Sequence, residues 1–272
     1  QENMTNEETI SNVVSYSNES QSIISGGSIS SKYSEDLAQV IEQFYTYCIN
    51  HEPQKAYDML SDDMKRLMYQ SEDLFEKLYY AEKFNGNKQF SFQSWTRSND
   101  IYIYQVKIFD DMLSSGRTDD NYIEDFVTVV PDDGSYKLNV NRYIGTEVVN
   151  KRNEDDILSV EVGNVDKYMD YEVYTLRIKN KTDNEIILDT KRKTDSCYVM
   201  DNLGNKFEAF LYENNEEDFS FSPQQSKTIK IKFSDAYRES MEIQSIHFED
   251  IVNSNDYNND GNIEGNVFEI QI

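Results

Sequence analysis

Near residue 87 the spacing of apolar residues changes from threes and fours to twos, and it stays at two almost to the end of the chain. A helix buries a stripe that repeats every 3.6 residues, whereas a strand buries alternate residues. The change therefore predicts a helical start and a β remainder. In "SEDLAQVIEQFYTYCINHEP", Leu37, Val40, Ile41, Phe44, Tyr45 and Cys48 share one stripe. Ser34 is placed to cap that helix, and Glu35 and Asp36 fall in its first turn, where the helix dipole favours acids. Pro53 cannot continue the helix but can open the next, "PQKAYDMLS", with Ala56, Tyr57 and Leu60 inward. Ser61 and Ser71 are placed to cap two more segments. The first holds Met64, Leu67 and Met68; the second, "EDLFEKLYYAEKF", has Leu74, Phe75, Leu78 and Tyr79 as its stripe and ends at "NGN".

Four alternating runs follow: "QFSFQSW", "DIYIYQVKIF", "YIEDFVTVV" and "SYKLNVNRY". The last two are joined by "PDDG", a hairpin signal. Residues 34–146 thus predict an α+β domain, with helices on one face of a curved antiparallel sheet. The passage "INHEPQKAYDMLSDDMK", set between a long first helix and a closing meander, resembles the nuclear transport factor 2-like superfamily, the cone fold. That resemblance implies a pocket between the long helix and the concave sheet, with Phe44, Tyr45, Trp95 and Tyr104 as its candidate lining. Relatives that move protons place a carboxylate or His in the cavity opposite a phenol or acid donor. Here Glu124 or Asp125 is the candidate base, and Tyr45, Tyr57, Tyr102 or Tyr104 the donor. The same positions satisfy the strand alternation as ordinary core. His51 stands at the end of the first helix, where a basic residue suits the dipole.

Residues 147–156, "EVVNKRNEDD", are charged and aperiodic and read as an interdomain linker. From 157 to 272 the chain is a series of short alternating runs: "ILSVEVGNV", "YEVYTLRIKN", "EIILD", "SCYVMD", "KFEAFLY", "SKTIKIKF", "MEIQSIHFEDIV" and "NVFEIQI". Such a series predicts an all-β immunoglobulin-like sandwich. "IKNKTDNEI", "DNLGNKF" and "SPQQSKTIKIKF" resemble the turn and strand-entry features of an immunoglobulin-like domain found in bacterial lipoproteins of unknown function. Gln225 stands where that pattern commonly has Gly. None of these features is catalytic.

Lys and Arg number 26 against 51 Asp and Glu, a net charge of −25. A surface that acidic repels phosphate backbones and anionic lipids, so neither nucleic acid nor a peripheral membrane surface is expected as a partner. Residues 1–33 are rich in Ser, Asn, Glu and Gly and read as a flexible stalk. A stalk of this kind follows a cleaved lipoprotein signal or a removed membrane anchor, which predicts an extracytoplasmic, surface-anchored or secreted protein. Cys48 lies on the apolar stripe as a small hydrophobe, far in sequence from Cys197. Two Cys and two His make no zinc site of familiar spacing.

The stretch "NDYNNDGNIEG" opens like a calcium loop. Asp256, Asn258 and Asp260 would supply oxygens at positions 1, 3 and 5 of an EF-hand, Asn262 its carbonyl at 7 and Glu264 position 9. Position 12 is Val267, where a bidentate Glu is needed, and Glu269 comes two residues late. The flanks read as strands. The stretch is therefore expected to be a hairpin loop, with calcium weak if held at all, and no other cofactor is expected. The chain has no G-x-S-x-G and no G-x-x-x-x-G-K. The function expected is a non-catalytic binding or protein-interaction module of the bacterial cell envelope, its partner an envelope protein or a small molecule. The alternative is a small-molecule binder or proton-transfer enzyme using the cone pocket.

Overall fold

The computed structural model describes residues 15–16, 31–98, 101–111, 121–188, 195–210, 216–234, 238, 241–257 and 264–272. The chain divides into two compact units, Gln1–Asn141 and Arg142–Ile272.

In the first unit, helix α1 (Ser31–Ile49) begins ahead of the expected cap, so Ser34 lies inside the first turn. Leu37, Ile41, Phe44, Tyr45 and Cys48 are fully buried, as their spacing requires. The helix ends in paired reversed bonds, Glu52 N–H to Tyr47 O at 2.9 Å and His51 N–H to Cys48 O at 3.3 Å. They put His51 in the left-handed region, φ 58°, where a helix terminus usually has Gly. Pro53 opens α2 (Pro53–Asp58). Ser61 caps α3 (Asp62–Leu67) by accepting from Met64 N–H at 3.1 Å. Ser71 caps α4 (Glu72–Phe75) by accepting from Leu74 N–H at 3.3 Å. A π-helical turn, Glu76–Tyr80, then leads into α5 (Ala81–Lys83). A wider turn rotates the stripe: Phe75 and Tyr79 stay buried, but Leu78, expected inward, is 56% exposed.

The sheet of this unit runs in the order β1 (Ser15–Tyr16), β2 (Lys88–Ser98), β3 (Ile101–Asp110), β4 (Tyr122–Asp132), β5 (Ser135–Asn139). β2 to β5 form the antiparallel meander, and β1 pairs in parallel with Ser91 and Phe92 of β2. Asp133 (φ 40°) and Gly134 (φ 82°) are both left-handed, the primed turn that matches strand twist and joins β4 to β5 without splaying them. Beyond β5 the sheet edge is closed by Leu60, bridged in parallel to Leu138. Ser61 N–H donates to Leu138 O and Leu138 N–H to Met59 O, each at 3.0 Å.

The second unit contains β6 (Tyr143–Glu154), β7 (Leu158–Tyr168), β8 (Glu172–Asn180), β9 (Ile186–Ile187), β10 (Cys197–Asp201), β11 (Lys206–Glu208), β12 (Ser220–Phe221), β13 (Ser226–Phe233), β14 (Ile243–Asn253) and β15 (Asn266–Gln271). One sheet has the order β13-β8-β7-β6. The other has β11-β10-β14-β9-β12, with β15 also on β14. Both contribute to one hydrophobic cluster, with Val160, Leu176 and Ile231 from the first and Val199, Ile246 and Phe268 from the second. The turn after β8 is held by Asn180, which is fully buried. Its Nδ2 donates to the carbonyls of Asn184, Phe221 and Ser222 at 2.8–3.0 Å. Its Oδ1 accepts from Thr182 N–H and Oγ–H, each at 2.9 Å. Every polar group of the side chain is used, which is what permits its burial.

This architecture overturns the expected fold class. The chain is mostly β, with 52% strand against about 22% helix, and comprises an N-terminal helical segment and three sheets that are antiparallel apart from the short parallel β1. Neither a cone fold nor an immunoglobulin sandwich is shown. Strands form within the alternating runs where these are described, but helix order and one loose helix motif do not fix how strands are shared among sheets. The clearest case is 147–156. These residues are no linker: Glu147–Glu154 lie in β6, paired with β7 from Tyr143↔Tyr168 to Glu154↔Ser159. Two register shifts break the alternation of β6, between Tyr143 and Gly145 and between Val148 and Lys151. As the edge of its sheet it carries charge, which deters edge pairing and imitates a solvated connector. Ser15 and Tyr16, assigned to the stalk, form β1.

Candidate functional site

The feature richest in chemistry is a buried acid in the first unit. β4 alternates, so Asp125, opposite Val106 in register, faces the same interior as its apolar partner. It is fully buried, as are Tyr45, Cys48 and Tyr79. Tyr79, on the π turn, donates its phenol to Asp125 Oδ2 at 2.7 Å and meets the Tyr45 hydroxyl at 3.3 Å. Asp125 also accepts from Phe126 N–H at 2.8 Å and from Asn141 N–H at 3.3 Å. Burial holds its carboxyl above the ordinary carboxylate range, against the opposing pull of the Lys83 ammonium, the Tyr79 phenol and the two backbone donors. Burial, and next the Asp125 charge, likewise push Tyr45, Tyr79 and Cys48 well above their ordinary values. The cluster therefore holds one acid among protonated neighbours. It has the donors and acceptor of a proton-transfer site, yet each of the four groups is closed to solvent.

The four candidate lining residues are not brought together. Phe44 and Tyr45 pack edge to face at 5.1 Å, Phe44 also meets Phe75 at 6.4 Å, and both are fully buried. Tyr104 is 1% exposed and meets Phe92 at 6.1 Å. Trp95 falls at the β2 bulge, where the register passes from Ser94↔Tyr104 to Thr96↔Ile103. Its ring packs on Phe126 at 5.2 Å. Phe126 alternates with Asp125, so Trp95 belongs to the opposite face of the sheet. Of the candidate bases, Glu124 accepts from Gln105 Nε2 at 2.6 Å on that same opposite face, leaving Asp125 as the inward acid. Of the other candidate donors, Tyr57 hydrogen-bonds the Tyr69 carbonyl at 3.0 Å, and Tyr102 is buried. His51 stands at the end of α1, with its Nδ1 2.6 Å from the Tyr80 hydroxyl. Tyr79 was legible only as core, because no sequence period announces a π turn.

A second cluster, absent from the sequence reading, lies in the other unit. Ser245, His247 and Glu249 alternate along β14 and so share a face, and His247 stands in register between Tyr198 and Glu269. Ser245 Oγ is 2.7 Å from His247 Nε2, and His247 Nδ1 is 3.9 Å from both Glu249 Oε1 and Glu269 Oε2. The imidazole stacks on Tyr198 at 4.6 Å and 9°, and Tyr198 donates to Glu249 at 2.7 Å. Ser, His and Glu suggest a nucleophile triad, but Ser245 is fully buried and cannot meet a substrate. Burial lowers the His247 pKa below its ordinary value, with Lys206 acting the same way and the two glutamates opposing.

Of the calcium-loop candidates, Asn258, Asp260 and Asn262 lie outside the described residues. Asp256 sits in a short helix, α6 (Ser254–Tyr257), where it accepts from Asn253 Nδ2 at 3.2 Å; Glu264 is exposed. The stretch connects β14 to β15, whose pairing closes at Ile251↔Asn266. Among the described residues no group of three or more His, Cys, Asp or Glu is arranged to hold a metal. Cys48 and Cys197 are both buried, and no disulfide joins them. Among the described residues no helix is long and apolar enough to cross a membrane.

No protein-family model matches the chain, and no curated protein matches it. A solved structure described as a conserved hypothetical protein from Bacillus anthracis is similar at 14% identity and a TM-score of 0.29. The match covers 47% of this chain and 95% of that one. A likeness at that level carries no argument about fold or function.

Proposed function

We propose that this chain is a non-catalytic protein-interaction module that works outside the cytoplasm, at the bacterial cell envelope. The observation that carries the reading is the closed interior of the first unit. Phe44, Tyr45 and Tyr104 are spent on packing, and Asp125, the one buried acid among the described residues of this unit, is sealed among its donors. Binding then falls to the outer surfaces of the sheets. Any calcium at the β14–β15 loop is weakly held in this reading, because position 12 offers Val267 and no bidentate acid.

The discriminating experiment is Phe44→Ala. As core, the truncation costs about 3–5 kcal/mol. An unchanged urea midpoint overturns the reading and restores a ligand pocket. The location is tested separately by labelling intact cells with a membrane-impermeant amine reagent; a chain protected until lysis removes the envelope placement.

A further inference from the structure

The eleven residues of β2, Lys88–Ser98, pair along β3 from Lys88↔Asp110 to Ser98↔Ile101. On the other side of β2, among the described residues, β1 alone meets it, at Ser15↔Ser91 and Tyr16↔Phe92. The far edge of the same sheet is closed more firmly, for β5 shares two 3.0 Å backbone bonds with residues 59–61. Edge strands are protected from pairing by proline, by charge or by a bulge. In β2 the bulge lies between Ser94 and Thr96 and shields only the second half. From 88 to 94 the one charged residue is Lys88, tied to Asp110 at 2.6 Å. Next to it stands "QFSFQ", residues 89–93, which reads the same in both directions. Phe90 and Phe92 are buried with their rings stacked at 6.2 Å, so Gln89, Ser91 and Gln93 alternate onto the opposite face.

We propose that this edge docks the same edge of a second copy of the chain, antiparallel about a two-fold axis at Ser91, once β1 has left it. The inference goes beyond the reading above and stands on the topology of the sheet and the sequence of β2. An open edge offers backbone N–H and C=O groups to any strand, and the palindrome selects which strand fits. About Ser91, antiparallel pairing sets Ser91 against Ser91, Phe90 against Phe92, Gln89 against Gln93 and Lys88 against Ser94 of the second copy. No like charges meet, each ring meets a ring on the core face, and each amide meets an amide on the other. The contact is its own complement, so it closes as a dimer and joins β2 to β5 of both copies in one sheet. β1 pairs at Ser91 itself and therefore competes for the backbone groups at the axis. As a strand of two residues it gives up few bonds on leaving. The net charge of −25 keeps copies apart, and salt relieves that repulsion.

The test is disulfide trapping in the full chain. At the axis the two Ser91 Cα atoms stand about 4.5–5.5 Å apart, within the reach of a disulfide. Ser91→Cys, alone and combined with Ser15→Pro and Tyr16→Pro, is oxidised with glutathione disulfide at about 0.5 M salt, and linked dimer is read on non-reducing gels. The prolines take away the N–H groups that β1 needs for pairing. Cys48 and Cys197 are buried and do not compete, and Ser91 is half-buried, so its cysteine variant should melt as wild type does. Linked dimer is expected in the proline background, about fivefold or more above Ser91→Cys alone. Gln89→Cys should not link to itself, because the axis sets its two copies four residues apart, about 13 Å along the strands, but it should link to Gln93→Cys. The proposal is overturned if Ser91→Cys gives no linked dimer in the proline background or if the prolines leave the yield unchanged. It is overturned equally if Gln89→Cys links to itself as readily as Ser91→Cys does, which is the mark of random collision.

Discussion

Tyr79→Phe removes the phenol that reaches Asp125 Oδ2 at 2.7 Å, the shorter of the two bonds that oxygen accepts beside the 3.3 Å bond from Asn141 N–H. The ring remains, and with it the 5.3 Å stack on Phe75, so no cavity opens and the loss is confined to the hydroxyl's contacts with Asp125 and with the Tyr45 hydroxyl. A buried acceptor deprived of a donor costs about 1–3 kcal/mol, the upper end applying when the acceptor is charged. The charge state can be read from pH. Because burial raises the folded-state pKa of Asp125, the group's stabilising contribution is complete below the unfolded pKa and is lost as pH rises through the folded one. Asp125→Asn has no proton to lose, so its deficit relative to wild type should be larger in acid and smaller at neutral pH. Urea denaturation of wild type, both single variants and the double variant, at about pH 4 and pH 7, measures the deficit and the coupling together. A Tyr79→Phe cost under about 0.5 kcal/mol, with an Asp125→Asn deficit that does not change with pH, would refute the reasoning.

Two further outcomes are expected. His247 has a folded pKa below its unfolded value, so its contribution is present above the unfolded pKa and lost as pH falls through the folded one. Melting temperatures from pH 7 to pH 5 should fall more for wild type than for His247→Gln, and parallel curves contradict the assignment. At Gly265 an added Cβ would lie 2.2 Å from Asp250 Oδ1 and 2.8 Å from Asp250 Cα, so backbone must move. Gly265→Ala should lower stability by about 1–3 kcal/mol, and an unshifted denaturation midpoint contradicts that packing.

Much of the secondary structure was legible because it depends on local rules. The stripe of α1, the serine caps at Ser61 and Ser71, Pro53 at a helix start and the Asp133–Gly134 turn each follow from neighbouring residues alone. The failures lie where distant pairing decides. Nothing local in 147–156 says that it pairs with β7, and nothing around Ser15 says that it joins β2 in parallel. The cluster at Asp125 was half legible: alternation turned the acid inward, but its phenol partner arrives through a π turn that the stripe does not encode. Trp95 was assigned to the pocket by the resemblance, whereas the alternation of inward Phe90 and Phe92 already sends residue 95 to the other face, where its ring meets Phe126. Ser245, His247 and Glu249 stood at alternate positions in plain view, but their meaning depended on Tyr198 and Glu269 arriving from two other strands.

The same competition between local motif and distant register explains the calcium-like stretch. As far as Glu264 the residues follow the spacing of a metal loop, and spacing is all that a loop requires. Beyond Gly265 the chain enters β15, where Phe268 and Ile270 must face the core opposite Phe248 and Ile246. That burial fixes the alternation, so Val267 and Glu269 face the other way, and Val267 is 56% exposed at the position a calcium loop reserves for its bidentate acid. Moving Glu269 back to that position would slip the strand by two residues and break the pairing of both buried residues. Its carboxylate instead stands 3.9 Å from His247. The hydrophobic register of β15 thus assigns the last acid of the motif to the histidine cluster, and the loop is left as the connection of a hairpin.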